Sequence, residues 1–119
     1  MNTVKNYQNL FVWQKSLDFT VLIYHHTKSF PKEELYGMVS QMRRAAVSIS
    51  SNIAEGQARH TRRQFIQFLS FARGSLSELE TQIMISARLD YISKETGQKL
   101  LADAAEISKM LTSLMKSIR

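Results

Sequence analysis

The chain has 119 residues, sixteen Lys and Arg against ten Asp and Glu, and a formal net charge of +6. That length is one domain with an ordinary core, and the absence of cysteine excludes a disulfide framework and any thiolate metal site. No run approaches the roughly 18 apolar residues of a membrane span, and the N-terminus lacks an apolar core followed by a small-residue cleavage site, so a soluble, cytoplasmic protein is expected.

Met1 to Asn9 is polar and reads as a frayed lead-in. A helical pattern runs from about residue 10 to 28, with Trp13, Leu17, Thr20/Val21 and Tyr24 at the 3,4 spacing of one buried face. Val12, Phe19, Leu22 and Ile23 widen the apolar arc, so this helix is buried on more than one side or meets a partner. Phe30-Pro31 closes it, because the residue before proline avoids helical dihedrals. Pro31 then suits the first turn of a second helix, where Glu33 and Glu34 favour the dipole. That helix, about 31–55, places Leu35, Met38, Met42, Ala45 and Ile49 on one face, and Gly56 is expected to end it as a left-handed cap.

Gln57 to His60 reads as a short turn and Thr61 as an N-cap. The third helix, about 61–91, repeats Phe65, Leu69, Ala72, Leu76, Leu79, Ile83 and Ser86. Ser93 caps the fourth helix, about 94–118, with Ile92 placed as a hydrophobic staple. Its core stripe is Leu100, Ala104, Ile107, Leu111, Leu114 and Ile118. Short connections make neighbouring helices antiparallel. The expectation is an all-α, antiparallel up-down-up-down four-helix bundle over residues 1–119.

The basicity is local. Gly37 to Ser77 holds six arginines (Arg43, Arg44, Arg59, Arg62, Arg63 and Arg73) against one acid, Glu55, whereas ten basic and nine acidic residues lie elsewhere. Arg62 and Arg63 open a helix and Glu55 closes one, placements that the dipole disfavours by about 0.3–1 kcal/mol each. Either Glu55 pairs with Arg59, Arg62 or Arg63 across the turn, or Arg59, His60, Arg62 and Arg63 form a phosphate-binding corner. Arg43 and Arg44 lie too far along the second helix to join that corner within one chain.

Small or polar stripes mark the outer faces: Ser40, Arg44, Ser48, Ser51 and Glu55 on the second helix, and Arg63, Gln67, Ser70, Gly74, Ser77 and Thr81 on the third. Gly74 in mid-helix costs about 1 kcal/mol against alanine; close packing is the expected reason, as for Gly37. Ile66, Phe68 and Phe71 add apolar surface beside the stripe. Either the core is wide, or Ile66, Phe68, Ser70, Phe71, Gly74 and Ser77 form a subunit interface.

Catalytic and metal patterns are weak. His25 and His26 are adjacent on a helix and diverge by about 100°, with no acid or third histidine one turn away. Nothing places a base beside Ser48, Ser50 or Ser51, and the acids lack the Glu-x-x-His pairs of di-iron bundles. The expectation is a non-enzymatic protein without cofactor or metal.

The blocks QMRRAAVSISSNIAEG and FLSFARGSLSELETQ, with FVWQKSLDF, IYHHTKSFPKEELYG and ISKMLTSL around them, resemble the bacterial four-helix bundle proteins encoded within intervening sequences of 23S rRNA genes. The resemblance covers nearly the whole chain and departs at Ser50, where the family usually has proline. It implies a ring, typically a pentamer. The accessory variability determinant of diversity-generating retroelements, a basic pentameric barrel that binds nucleic acid and a reverse transcriptase, has a similar architecture. By that similarity Arg43, Arg44, Arg59, Arg62, Arg63 and Arg73 are candidates for contact with RNA or DNA. The functional expectation is a homo-oligomer meeting nucleic-acid backbone; the alternative is an interaction scaffold for an acidic protein partner.

Overall fold

The computed structural model describes residues 6–118; the expectation of a frayed lead-in over residues 1–5 lies outside them. Asn6–Asn9 form a 3-10 turn instead of a frayed end, and the Tyr7 ring meets Trp13 edge-on at 5.2 Å. Four α-helices follow: α1 Phe11–Thr27, α2 Ser40–Gln57, α3 Arg62–Arg88 and α4 Lys94–Ser117. There is no strand among the described residues. None of these helices is long and apolar enough to cross a membrane.

Cross-helix contacts give the order and direction of the helices. Thr20 Oγ1 donates to Ala46 O at 3.2 Å and Arg43 Nε to Thr27 Oγ1 at 3.0 Å, so α1 and α2 run oppositely. Ser48 Oγ meets Ser75 Oγ at 2.8 Å and Ser86 Oγ donates to Met42 Sδ at 3.5 Å, which reverses α3 against α2. Arg73 Nη1 donates to Thr112 Oγ1 at 3.4 Å on the α3–α4 side. Lys15 and Glu106, 2.6 Å apart, join α4 to α1. The result is a four-helix bundle 47 Å long and about 20 Å across.

Within it, the repeats of α3 and α4 fill the core except at their ends near the α2–α3 turn, where Phe65, Leu114 and Ile118 are only partly buried and Met115 is buried in place of Leu114. Leu69, Ala72, Leu76, Leu79, Ile83 and Ser86 are buried on α3, and Leu100, Ala104, Ile107 and Leu111 on α4. Local capping sets their ends. Thr61 Oγ1 accepts from Gln64 N at 3.1 Å, and Ser93 Oγ from Thr96 N at 3.0 Å.

α3 ends at Arg88, short of the expected 91. Asp90 N donates to Ala87 O and Tyr91 N to Ser86 O, at 3.1 and 2.9 Å, with Asp90 itself at φ 61°. This is the paired 5→2 and 6→1 closure that usually recruits glycine at the left-handed position. A side chain there is strained even for aspartate. Asp90→Gly is therefore expected to raise unfolding stability by about 0.5–1 kcal/mol, read as a higher urea midpoint.

The first helix departs from expectation. Its buried face is Val12, Ser16, Phe19, Ile23 and Thr27. Trp13 is only half-buried, Leu17 and Tyr24 are exposed, and Val21 is 68% exposed. The two buried hydroxyls disguise the true face. Ser16 Oγ donates to Val12 O at 2.6 Å and Thr27 Oγ1 to Ile23 O at 2.7 Å, so both enter the core satisfied.

The second helix starts later than residue 31. After Pro31 the chain makes a 3-10 turn, Lys32–Glu34, then a turn of π-helix, Leu35–Val39, and becomes α-helical at Ser40. Gly37 lies outside helical dihedrals at φ −110°, ψ −110°. Its reason is this kink, and the tight approach of Glu34 Oε1 to the space a side chain would take, rather than helix packing. Glu34 Oε1 accepts from Met38 N at 3.0 Å while Oε2 accepts from Tyr91 Oη at 2.7 Å. Leu35, expected in the core, is 49% exposed, and Tyr36 beside the kink is 92% exposed.

The Glu34–Tyr91 bond ties the α1–α2 connection to the α3–α4 connection. The Met38 N–H and then the Tyr91 hydroxyl hold the Glu34 carboxyl below its ordinary value, and the Glu34 carboxylate pushes the Tyr91 phenol up. A depressed carboxylate stabilises the fold above its unfolded-state value, and that contribution is lost as pH falls through the folded-state value. Thermal midpoints should fall on acidification below 4.5, the carboxylate's ordinary value. Glu34→Gln should flatten that part of the profile.

Gly56 is not a left-handed cap. It is buried within the last turn of α2, which continues to Gln57, and no glycine among the described residues has positive φ. A side-chain carbon there would lie 2.7 Å from Phe68 Cβ and 3.2 Å from Phe65 O, so Gly56 is where α2 and α3 approach most tightly among the glycines. Gly74 is the reverse: nothing lies within 4 Å of the position a Cβ would take.

Candidate nucleic-acid interface

The α2–α3 turn is built by ordinary helix-end chemistry. Ala58 N donates to Ala54 O at 3.2 Å and Arg59 N to Gly56 O at 3.1 Å as α2 closes. Thr61 is extended and Phe65 N returns to its carbonyl at 3.1 Å as α3 opens. Ala58 to Gln64 are all exposed. Around them lies a cleft of about 480 Å³, lined by Gln57, Arg59, His60, Thr61, Arg62, Phe65, Ser117 and Ile118.

The six arginines divide into distinct environments. Arg59 Nη2 sits 2.8 Å from Glu55 Oε2, and its guanidinium lies 4.6 Å from the Phe68 ring centre. This is the Glu55 pairing across the turn that offsets the dipole cost. Arg62 and Arg63 occupy the first two positions of α3, both exposed, with no ion-pair partner among the described residues. Arg59, His60 and Arg62 share the cleft, whereas Arg63, the next residue of α3, is exposed outside its lining.

The other three are elsewhere. Arg43 is half-buried; its Nε donates to Thr27 Oγ1 and its Nη2 to Tyr24 O at 3.3 Å, with the guanidinium 4.5 Å from the Tyr24 ring centre. It caps the end of α1. Arg44 lines a separate polar groove of about 450 Å³ between α2 and α3, with Tyr36, Gln41, Ser48, Ser75 and Glu78. Arg73 is exposed midway along α3 beside Thr112.

Of the expected interface residues, Ser70, Phe71, Gly74 and Ser77 form an exposed stripe on α3. Phe68 is half-buried against Phe71, 5.5 Å between ring centres, and Ile66 packs partly into the core. Ser117 and Ile118 were absent from the sequence-level corner. Nothing in the spacing places them there, because they join it only through the return of α4 along α3.

Among the described residues no cluster of three or more His, Asp or Glu is arranged to hold a metal. The His25 and His26 rings stand edge to face at 5.1 Å. Burial, then the neighbouring His25 and Lys99, holds the His26 imidazole below its ordinary value.

The sequence pattern of the 23S rRNA-intervening sequence proteins matches residues 8–113 of the chain. The chain belongs to that family. A solved relative, a protein of unknown function from the S23 ribosomal protein family of Bacteroides thetaiotaomicron, superposes with a TM-score of 0.81 at 31% identity. The alignment covers 88% of this chain and 95% of that one. No curated protein matches the chain. The family resemblance read from the sequence therefore stands, and with it the four-helix fold. Where family members usually carry proline, Ser50 sits buried in an unbroken α2, its Oγ donating to Val47 O at 3.3 Å.

Proposed function

We propose that the protein is a non-enzymatic homo-oligomer that binds RNA or DNA backbone through the basic corner at the start of α3. The observation that supports this reading is the crowding of Arg62 and Arg63 onto a helix N-terminus that already carries partial positive charge. Two unpaired guanidinium groups there cost the folded chain stability. A phosphate in the adjoining cleft would meet the free backbone N–H groups and the forked guanidinium groups together. Arg59 is half-neutralised by Glu55 and contributes less.

One corner is a small patch. Repetition around a ring, a pentamer by family resemblance, multiplies it by avidity. The exposed stripe of Ser70, Phe71, Gly74 and Ser77 is the proposed contact between subunits. The cytoplasm is the proposed location. Contacts to backbone phosphate carry no base information, so binding is expected to be independent of sequence.

The test is anisotropy of labelled mixed-sequence RNA and DNA, single-stranded and duplex, titrated with the full chain over a range of salt. The logarithm of affinity should fall linearly with the logarithm of salt, by about 0.7–0.9 per phosphate contacted. No binding at low salt, or a flat slope, overturns the reading. Light scattering that returns a monomer at micromolar concentration overturns the assembly.

A further inference from the structure

At the other end of α2, about 27 Å from the basic corner, the kink leaves a second cleft. It has a volume of about 440 Å³, with Phe30 and Val39 at its base and Leu35 as an exposed wall. Lys28, Lys32 and Arg43 complete it. Neither carboxylate of the same connection lines the cleft, and Glu34 is bonded instead to Met38 N and Tyr91 Oη. None of the three cations has an ion-pair partner among the described residues.

Arg43 is already oriented for a ligand. Neutral acceptors, Thr27 Oγ1 and Tyr24 O, fix its plane, and the Tyr24 ring supports one face. Its position is set while its charge remains uncompensated. A guanidinium held in this way binds a carboxylate at little ordering cost.

We propose that this cleft docks an acidic protein segment. One large apolar side chain seats over Phe30, Leu35 and Val39, and carboxylates on neighbouring residues meet Arg43, Lys28 and Lys32. Charge selects an anionic occupant. The apolar floor of Phe30, Leu35 and Val39 receives an apolar side chain, and the cleft is too open to enclose an acyl chain, which needs most of its surface covered. The proposal does not rest on the nucleic-acid reading, which concerns the opposite end of the bundle.

The probe is a short dye-labelled peptide of Glu and Ser with one central Phe, titrated with the full chain. Replacing that Phe by Ser should weaken binding about tenfold or more, and so should Leu35→Glu or Lys32→Glu in the protein. Both protein positions are exposed, so the bundle stays folded. Arg43→Lys keeps the charge but loses the fork, and should weaken binding while circular dichroism reports an intact helix content. Arg44→Glu, in a different groove, should leave affinity unchanged.

Equal affinity for the Phe and Ser peptides, no binding at millimolar peptide, or no effect of Leu35→Glu overturns the proposal. So does decanoate that displaces the peptide and binds the cleft more tightly, which would assign a lipid carboxylate instead. A change of mass in light scattering on Leu35→Glu would assign the cleft to a second copy of the chain. Retained peptide binding in a variant that has lost RNA binding separates this site from the basic corner.

Discussion

Gly56→Ala is expected to destabilise the bundle by about 1–3 kcal/mol, although glycine to alanine inside a helix ordinarily gains about 1 kcal/mol. The added methyl group would sit 2.7 Å from Phe68 Cβ and 3.1 Å from Phe65 Cδ1. Phe68 Cβ is tied to its own backbone and cannot rotate away, so α2 and α3 must separate. Their separation loosens Ile53 and Leu69, both fully buried close by in the chain. Gly74→Ala has the opposite expected sign, a gain of about 0.5–1 kcal/mol, because open space surrounds that position. Urea unfolding of the two variants side by side checks the contrast. A gain for both would mean that α2 and α3 yield at Gly56 without cost. The longer substitution Gly74→Leu examines the proposed subunit contact, since it should lower the assembled mass in light scattering without unfolding the chain.

The double variant Arg62→Gln, Arg63→Gln should move stability and binding in opposite directions. Removing two cations from the N-terminal turn of α3 relieves the dipole and stabilises the fold by about 0.3–1 kcal/mol each. If the corner binds phosphate, the same change lowers the salt slope by about 1.4–1.8 for two lost phosphate contacts, and weakens affinity at low salt at least tenfold, or about 1.4 kcal/mol. Arg73→Gln, outside the corner, serves as the comparison. A double variant that is more stable and binds as before would leave these arginines without the proposed role.

The fold was largely legible from the chain. On α4 one apolar stripe faces a polar remainder, and on α3 the stripe keeps its register beside the exposed Phe71, Met84 and Ile85, so spacing identifies most of the core. The caps Thr61 and Ser93 act on backbone three residues away, which makes them local enough to read directly. The basic corner was legible for the same reason, since Arg59, His60, Arg62 and Arg63 are near neighbours in sequence. Its outer wall was not. Ser117 and Ile118 arrive from the far end of the chain.

Where the sequence by itself was ambiguous, each case involves a choice among equally plausible neighbours. α1 is apolar most of the way round, so periodicity does not rank Trp13, Leu17 and Val21 above Val12, Phe19 and Ile23. The packing of α2 and α4 ranked them, helped by two hydroxyls that satisfy themselves on their own helix. Glycine carries no side chain to declare its purpose. Only the tertiary structure separated Gly37 at a kink, Gly56 at a close approach and Gly74 in open space.

The arginines follow the same logic. Composition and order determined that Gly37 to Ser77 is strongly basic and that the chain folds as four helices. The tertiary structure decided which charges are already engaged, because a guanidinium on a flexible stem is free or occupied according to what another helix brings within about 3 Å. Tyr24 and Thr27 fix the plane of Arg43 without neutralising its charge, Glu55 pairs with Arg59, and Arg62 and Arg63 are exposed with no ion pair among the described residues.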